Sequence, residues 1–557
     1  MSATPALAEN STFYNPILPG WHSDPSCTVF NGTFFCVTST FIAFPGLPVY
    51  ASKDLVNWKL ASHVWNREAQ LPGYSWATNG QQDGMYAATI RQHNGTVYVI
   101  CEYLAVSGKD SGVLFRTTDP FDDASWSSAL TFSAPKIDPD LFWNDDGKVY
   151  VATQGIRIQE MDITTGKMGP VTQLWNGTGG VWPEGPHIYK RPDGYYYLMI
   201  AEGGTAMNHA ITISRSKNIT GPYVPYAGNP ILTNRGTDQY FQTVGHGDLF
   251  QDANGNWWGV ALATRSGPAY KSYPMGRETV LYPATWKDGE WPILQPVRGT
   301  MSGWPLPPAS RDVPGDGPFV TDPDVYDFGA GKPIPRNLMY WRVPREGAFA
   351  STDDGLRVVL SRNDVTGTPG GTEPAAKAIS FIGRRQTHSL FTFSVDIDFK
   401  PTAANQEAGV VAFLTQAANL RLGIAREASS ELSFRFTVEN KTTTTAIPGA
   451  WVGKPIRLQI QMANSTNYTL AAMLASDTKT KVVVGTASAE LLSGNTGSFV
   501  GTLIGVYATC NGAGSGLDCP VGTPAAYFQR WRYTGAGQYV SESETVPRTV
   551  DMAASEV

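Results

Sequence analysis

Asp24, Asp138 and Glu184 stand at matching places in a repeated pattern of this chain, and carboxylates gathered in such number are a means of moving protons. Glycosidic bonds yield to this kind of set, in which a protonated acid meets the leaving oxygen and a second carboxylate works at the anomeric carbon. Trp182 and Pro183 precede Glu184, so the sequence predicts a desolvated carboxyl, and two neighbouring acids raise its pKa further, as suits a general acid. Asp24, within His22-Ser23-Asp24-Pro25, is placed to activate water, leaving Asp138 to tune Glu184 and orient the sugar. Arg277, in Gly276-Arg277-Glu278-Thr279, is a candidate clamp for a sugar hydroxyl or carboxylate; its spacing equally suits a surface arginine at a strand end. His246 has three readings: ligand to an axial metal ion, directly or through water; hydrogen-bond partner of the substrate; or a satisfied core histidine. Phe44, Trp76 and Tyr86 are candidate subsite walls, since sugars stack their C–H faces on aromatic rings, although most aromatics of a folded chain pack in its core.

Five segments position these residues. They read D-P-S-C-T-V-F-N-G-T-F-F from Asp24, Y-A-A-T-I-R-Q-H-N-G-T-V-Y from Tyr86 and D-P-D-L-F-W-N-D-D-G-K-V-Y from Asp138. The others are E-G-P-H-I-Y-K-R-P-D-G-Y-Y-Y from Glu184 and G-H-G-D-L-F-Q-D-A-N-G-N-W-W from Gly245. Asn-Gly and Asp-Gly between apolar runs mark hairpins, because type I′ turns need positive φ at both central residues. The turns recur at roughly 50–60 residues, which fits one antiparallel sheet per repeat and hence a five-bladed β-propeller. If each segment opens the innermost strand of its blade, Asp24, Ala87, Asp138, Glu184 and His246 converge on one mouth of the axial channel. A purely structural ring has no need of charges there.

The chain is all-β by pattern. Residues 1–302 form the propeller, 303–318 a Pro-rich linker that braces more than it tethers, 319–540 a β-sandwich and 541–557 a polar tail. The sandwich is read from clean alternation, as in Phe391, Phe393, Val395, Ile397 and Phe399, and again in Ile456, Leu458, Ile460 and Met462. It is expected to wall the active site or shield a propeller face.

A net charge of −6 and the absence of a basic run argue against nucleic acid as a partner, and no apolar stretch is long enough to span a bilayer. Sequons at Asn10, Asn31, Asn94, Asn176, Asn218, Asn440, Asn464 and Asn467 point to a secreted, glycosylated protein whose leader is absent from the sequence as it stands. Across the Asn31-Gly32 turn Cys27 falls opposite Cys36, and Cys510 and Cys519 bracket a Gly-rich loop, so two disulfides are expected. Cys101 is left as a buried thiol. No CxxC, HExxH, phosphate loop or Ser-His-Asp pattern stands in a fitting context, so the chemistry is expected to need no cofactor.

Asn15-Pro16-Ile17-Leu18-Pro19-Gly20 with His22-Ser23-Asp24-Pro25-Ser26, Ile137-Asp138-Pro139-Asp140, Glu184-Gly185-Pro186-His187 and Gly276-Arg277-Glu278-Thr279 together closely resemble glycoside hydrolase family 43. The resemblance implies a five-bladed propeller, often with a C-terminal β-sandwich, that cleaves arabinofuranosides or β-xylosides with inversion. It implies Asp24 as general base, Asp138 as pKa modulator, Glu184 as general acid and Arg277 as a substrate-binding arginine. It also implies His246 as the axial histidine beside a channel-bound calcium or water cluster. Within the family the chain looks most like fungal secreted α-L-arabinofuranosidases that debranch arabinoxylan, including those that take the 3-linked arabinose from doubly substituted xylose. Ala87-Ala88-Thr89 departs from the Ala-Pro-Thr of related xylosidases and bears on sugar choice. The expected partner is arabinoxylan or its oligosaccharides, acted on by a monomer. The alternatives are a β-xylosidase or dual xylosidase–arabinofuranosidase, a retaining invertase-type enzyme, disfavoured because Ser23-Asp24-Pro25-Ser26 lacks its Asn-Asp-Pro-Asn setting, and a non-catalytic carbohydrate-binding propeller.

Overall fold

The computed structural model describes residues 11–73, 78, 81–105, 110–134, 136–367, 378–494 and 497–547. Five four-stranded antiparallel sheets follow one another along the chain, each running in sequence order from its innermost strand outward. The innermost strands are Ser26–Phe30, Gly84–His93, Asp140–Trp143, Glu184–Lys190 and Phe241–Gln251, and they define blades I to V. The ring closes where Thr12–Tyr14 pairs with Thr300–Ser302 and Leu18 bridges Thr279. Asn15 holds this clasp, donating to the carbonyls of Leu281 and Arg298 at 3.0 Å and accepting from the Leu281 amide at 2.8 Å.

The turns are of two kinds, where the sequence had suggested one. Asn31-Gly32 and Asn94-Gly95 both have positive φ at two successive residues, as type I′ requires. At Gly147, Gly194 and Gly255 only the glycine is left-handed, and it ends a three-residue loop that follows a tighter first turn, as in Gly147 N to Asn144 O at 3.0 Å. The longer loop adds a residue between turn and channel, so Asp138, Gly185 and His246 are the true counterparts of Asp24 and Ala87. Each of these five residues has positive φ, between 36° and 59°. Glu184 sits one residue ahead of the matching place, which corrects its expected register.

Beyond the propeller, a nine-stranded and a seven-stranded antiparallel sheet face each other as a β-sandwich. Phe391, Phe393, Val395 and Ile397 are each no more than 1% exposed, on the order of 2 kcal/mol of burial apiece. No α-helix occurs among the described residues. The Pro-rich segment lies along blade I as a brace, with Ser310 N donating to Asp54 Oδ2 at 2.8 Å and Leu60 N to Pro318 O at 3.0 Å. Trp21, Phe41, Ile42 and Ala43 of the propeller belong to the apolar core of the sandwich. The two domains therefore share buried surface instead of hanging from a tether. Cys27–Cys36 and Cys510–Cys519 are bonded as expected, and Cys101 is buried with a free thiol.

Candidate active site

The left-handed residue at the start of each innermost strand is an L-residue in four blades out of five, a conformation costing about 1 kcal/mol each. Such strain persists where the surroundings over-determine it, and here it turns Asp24 and Asp138 toward the channel mouth. Both are only 5% exposed. Ser39 Oγ donates to Asp24 Oδ2 at 2.8 Å while accepting from the Ala87 amide at 2.8 Å, so one hydroxyl ties blade I to blade II beneath the acid. Arg277 Nη1 stands 3.3 Å from Asp24 Oδ1, and His246 Nδ1 lies 3.8 Å from the same oxygen.

The other two acids form a coupled pair. Burial raises Glu184 to about 7 despite the nearby Arg277 charge, with Asp24 adding to the rise; Gln154 reaches its carboxyl at 3.4 Å. Burial also pushes Asp138 well above the usual carboxylate range, reinforced by Glu184 and Asp24. Gly185 N donates to Asp138 Oδ2 at 2.9 Å, which offsets only part of that rise. His246 is 7% exposed and burial lowers it to about 4, so it is a neutral imidazole at working pH. Its ring lies against Gly185, where a side chain would meet it at 3.2 Å.

One wall comes from the sandwich. The ring of Phe499 lies 4.3 Å from the Arg277 guanidinium and meets Phe41 and Tyr86 at 5.9 and 6.2 Å. Ser23 Oγ donates to Phe499 O at 2.7 Å, and Phe499 N donates to Gln82 Oε1 at 2.6 Å, so the backbone on both sides of Phe499 is pinned to the propeller.

Residues 13–292 match the glycosyl hydrolases family 43 profile, and 326–534 match the β-xylosidase C-terminal concanavalin A-like domain. A non-reducing-end α-L-arabinofuranosidase, BoGH43B, of Bacteroides ovatus is 35% identical over 519 residues, 92% of this chain and 93% of its own. The chain belongs to glycosyl hydrolases family 43. A xylosidase/arabinosidase of Butyrivibrio fibrisolvens is 32% identical across 91% of the chain and 97% of its own. The Bacillus licheniformis family 43 protein BlXynB superposes with a TM-score of 0.80 at 26% identity, covering 94% of this chain and all of that one.

As a family 43 glycoside hydrolase, the chain brings Asp24, Asp138, Glu184, Arg277, His246 and Tyr86 together at one mouth. Phe44 is not with them. It is 8% exposed, packs edge-on against Trp65 at 5.3 Å in the blade I core and bridges Tyr340 through its backbone. Trp76 lies outside the described residues. Trp182 does not cover Glu184 as expected. It is 68% exposed at positive φ, two residues before the acid, on a loop pinned by Gly203 N to Val181 O and Gly155 N to Pro183 O, each 2.9 Å.

The expected axial calcium finds no cage in these side chains. Calcium takes about six to eight oxygen ligands. Among the described residues no three His, Cys, Asp or Glu side chains converge as metal ligands. The donor set does not fit a protein-held ion, and no step is derived through one.

Phe499, Ser39, Gln154 and His209 carried no local signal. His209 is 1% exposed and held at about 3 by burial and the neighbouring His246, with Nδ1 3.0 Å from Thr243 O.

Proposed function

We propose that this glycoside hydrolase is an exo-acting, inverting α-L-arabinofuranosidase that removes side chains from arabinoxylan, in particular the 3-linked arabinose of doubly substituted xylose. The observation that carries the chemistry is a division of environments at one mouth: Glu184 is held near 7 by burial, while Asp24 faces a guanidinium. Glu184 then protonates the leaving oxygen, Asp24 takes a proton from the attacking water, and Asp138 repels charge from Glu184. Arg277 and the neutral His246 hydrogen-bond the sugar. Burial of the acids and the Phe499 wall favour one terminal sugar over a through-going chain.

The furanoside is favoured by the 35% identical arabinofuranosidase; the Butyrivibrio relative's double name supports a dual xylosidase–arabinofuranosidase as the second reading. We also propose export with glycosylation, since all seven sequon asparagines among the described residues are exposed. The deciding experiment is an NMR time course on wheat arabinoxylan beside the two 4-nitrophenyl glycosides. Initial release of β-arabinofuranose from doubly substituted xylose is the expected result. Release of α-xylose from chain ends establishes the xylosidase instead, and retained configuration at the released carbon overturns inversion.

A further inference from the structure

Just behind the acids, the same five strands present a second ring of polar residues. Ser26 follows Asp24 by two residues, Asp140 follows Asp138, His187 follows Gly185 and Asp248 follows His246 by the same step, and Arg91 lies further along the strand of Ala87. Arg91 reaches all the others. Its Nε lies 2.9 Å from Asp140 Oδ1, its Nη1 2.7 Å from Asp248 Oδ2 and 3.2 Å from Ser26 Oγ. Its Nη2 lies 3.0 Å from His187 Nδ1 and 3.2 Å from Asp248 Oδ1. Ser26 Oγ and Tyr189 Oη also donate to Asp248, at 2.6 and 2.8 Å. His187 Nδ1, 3.1 Å from Asp140 Oδ2, donates to that carboxylate in one tautomer or accepts from Arg91 in the other.

We propose that Arg91 is the axial cation of this propeller: its guanidinium ties the five innermost strands together directly behind the acids and so positions them, in the place of a metal ion. The fork of a guanidinium supplies five donors in one plane, enough to address four neighbouring blades at once. Asp140, His187, Asp248 and Ser26 are each at least 97% buried, so without the guanidinium two carboxylates remain uncompensated in the channel. Two or three residues separate each of them from Asp138, Glu184, His246 and Asp24, so slack in the ring becomes misplacement at the mouth. A misplacement of about 1 Å costs on the order of 100-fold in rate. Arg91 is thus a positioning residue for the reaction, and this role rests on the reading of Asp24, Asp138 and Glu184 given above.

The test compares wild type with Arg91→Ala and Arg91→Lys on both 4-nitrophenyl glycosides, alongside thermal unfolding. Wild-type rate and melting temperature are expected to be indifferent to EDTA and to calcium. Arg91→Ala is expected to lose about 100-fold in kcat with KM changed less than about threefold. Millimolar guanidinium, but not equal sodium chloride, then restores activity and raises the melting temperature of that variant alone. Arg91→Lys keeps the charge without the fork and falls between; should the alanine variant not fold, the lysine variant decides. A folded variant of either kind with wild-type kcat overturns the proposal, as does calcium-dependent stability of the wild type or rescue by sodium chloride as good as by guanidinium. A wild type inactive on both glycosides refutes the proposed function instead, and the guanidinium dependence of the melting temperature still decides the role of Arg91.

Discussion

Asp138 and Asp248 lie on innermost strands of the same propeller, close to the same axis, and are treated in opposite ways. Asp248 accepts from Ser26, Tyr189, Arg91 and the Cys27 amide. Burial alone would raise it, but Arg91, with His187 and Ser26, holds its carboxyl well below the usual range. Asp138 accepts from the Gly185 amide at 2.9 Å, faces two other acids and is pushed well up. Asp248 is surrounded by donors, whereas Asp138 has one backbone donor and two acids beside it. Polar groups with all their partners stabilise a fold, whereas groups denied them keep protons and strain available for a substrate.

The sharpest way to break that contrast is Glu184→Gln, expected to lower kcat by about 10²–10⁴-fold in steady-state assays, least for substrates with good leaving groups. Behind the mouth, Asp248→Asn is expected to cost about 3–5 kcal/mol in urea unfolding, because it strips charge from a buried pair. The mouth should respond in the opposite sense. Glu184 has its folded pKa raised to about 7, so stability is fully present below its unfolded value and lost as pH rises through 7. Glu184→Gln therefore gains on the order of 3 kcal/mol relative to wild type at pH 8 and little at pH 4, read from unfolding midpoints at both pH values. An equal difference at the two pH values would refute the environment assigned to Glu184.

Smaller effects sharpen the picture. Asp138→Asn takes away the acid paired with Glu184, so the alkaline limb of kcat is expected to leave its wild-type position near 7. An unmoved limb denies Asp138 its tuning role. Trp182→Ala is expected to raise KM several-fold on arabinoxylan, about 1 kcal/mol, and less on nitrophenyl glycosides, since its exposed ring lies two residues from the proposed acid.

Much of this was legible in the chain because it is local. Asn31-Gly32 dictates its turn, the turn sets Cys27 opposite Cys36, and the alternation from Phe391 to Ile397 specifies a strand with one buried face. The site was legible through three acids in a repeat. The count failed by one residue at Glu184, because a three-residue loop and an I′ turn look alike as an Asx-Gly pair. Phe44 reads as a wall because any aromatic near the mouth suits one, and only its packing against Trp65 takes it into the core. Phe499 had no signal, lying hundreds of residues from Asp24 in another domain.

By itself the sequence determined which residues carry charge, where hairpins reverse and which strand faces are apolar, since these depend on neighbours a few residues apart. Only the tertiary structure decided which acid keeps its proton, which aromatic walls the pocket and that Arg91 closes the axis. Those outcomes depend on desolvation and on charges brought together from five blades and a second domain, and such distances do not exist along the chain.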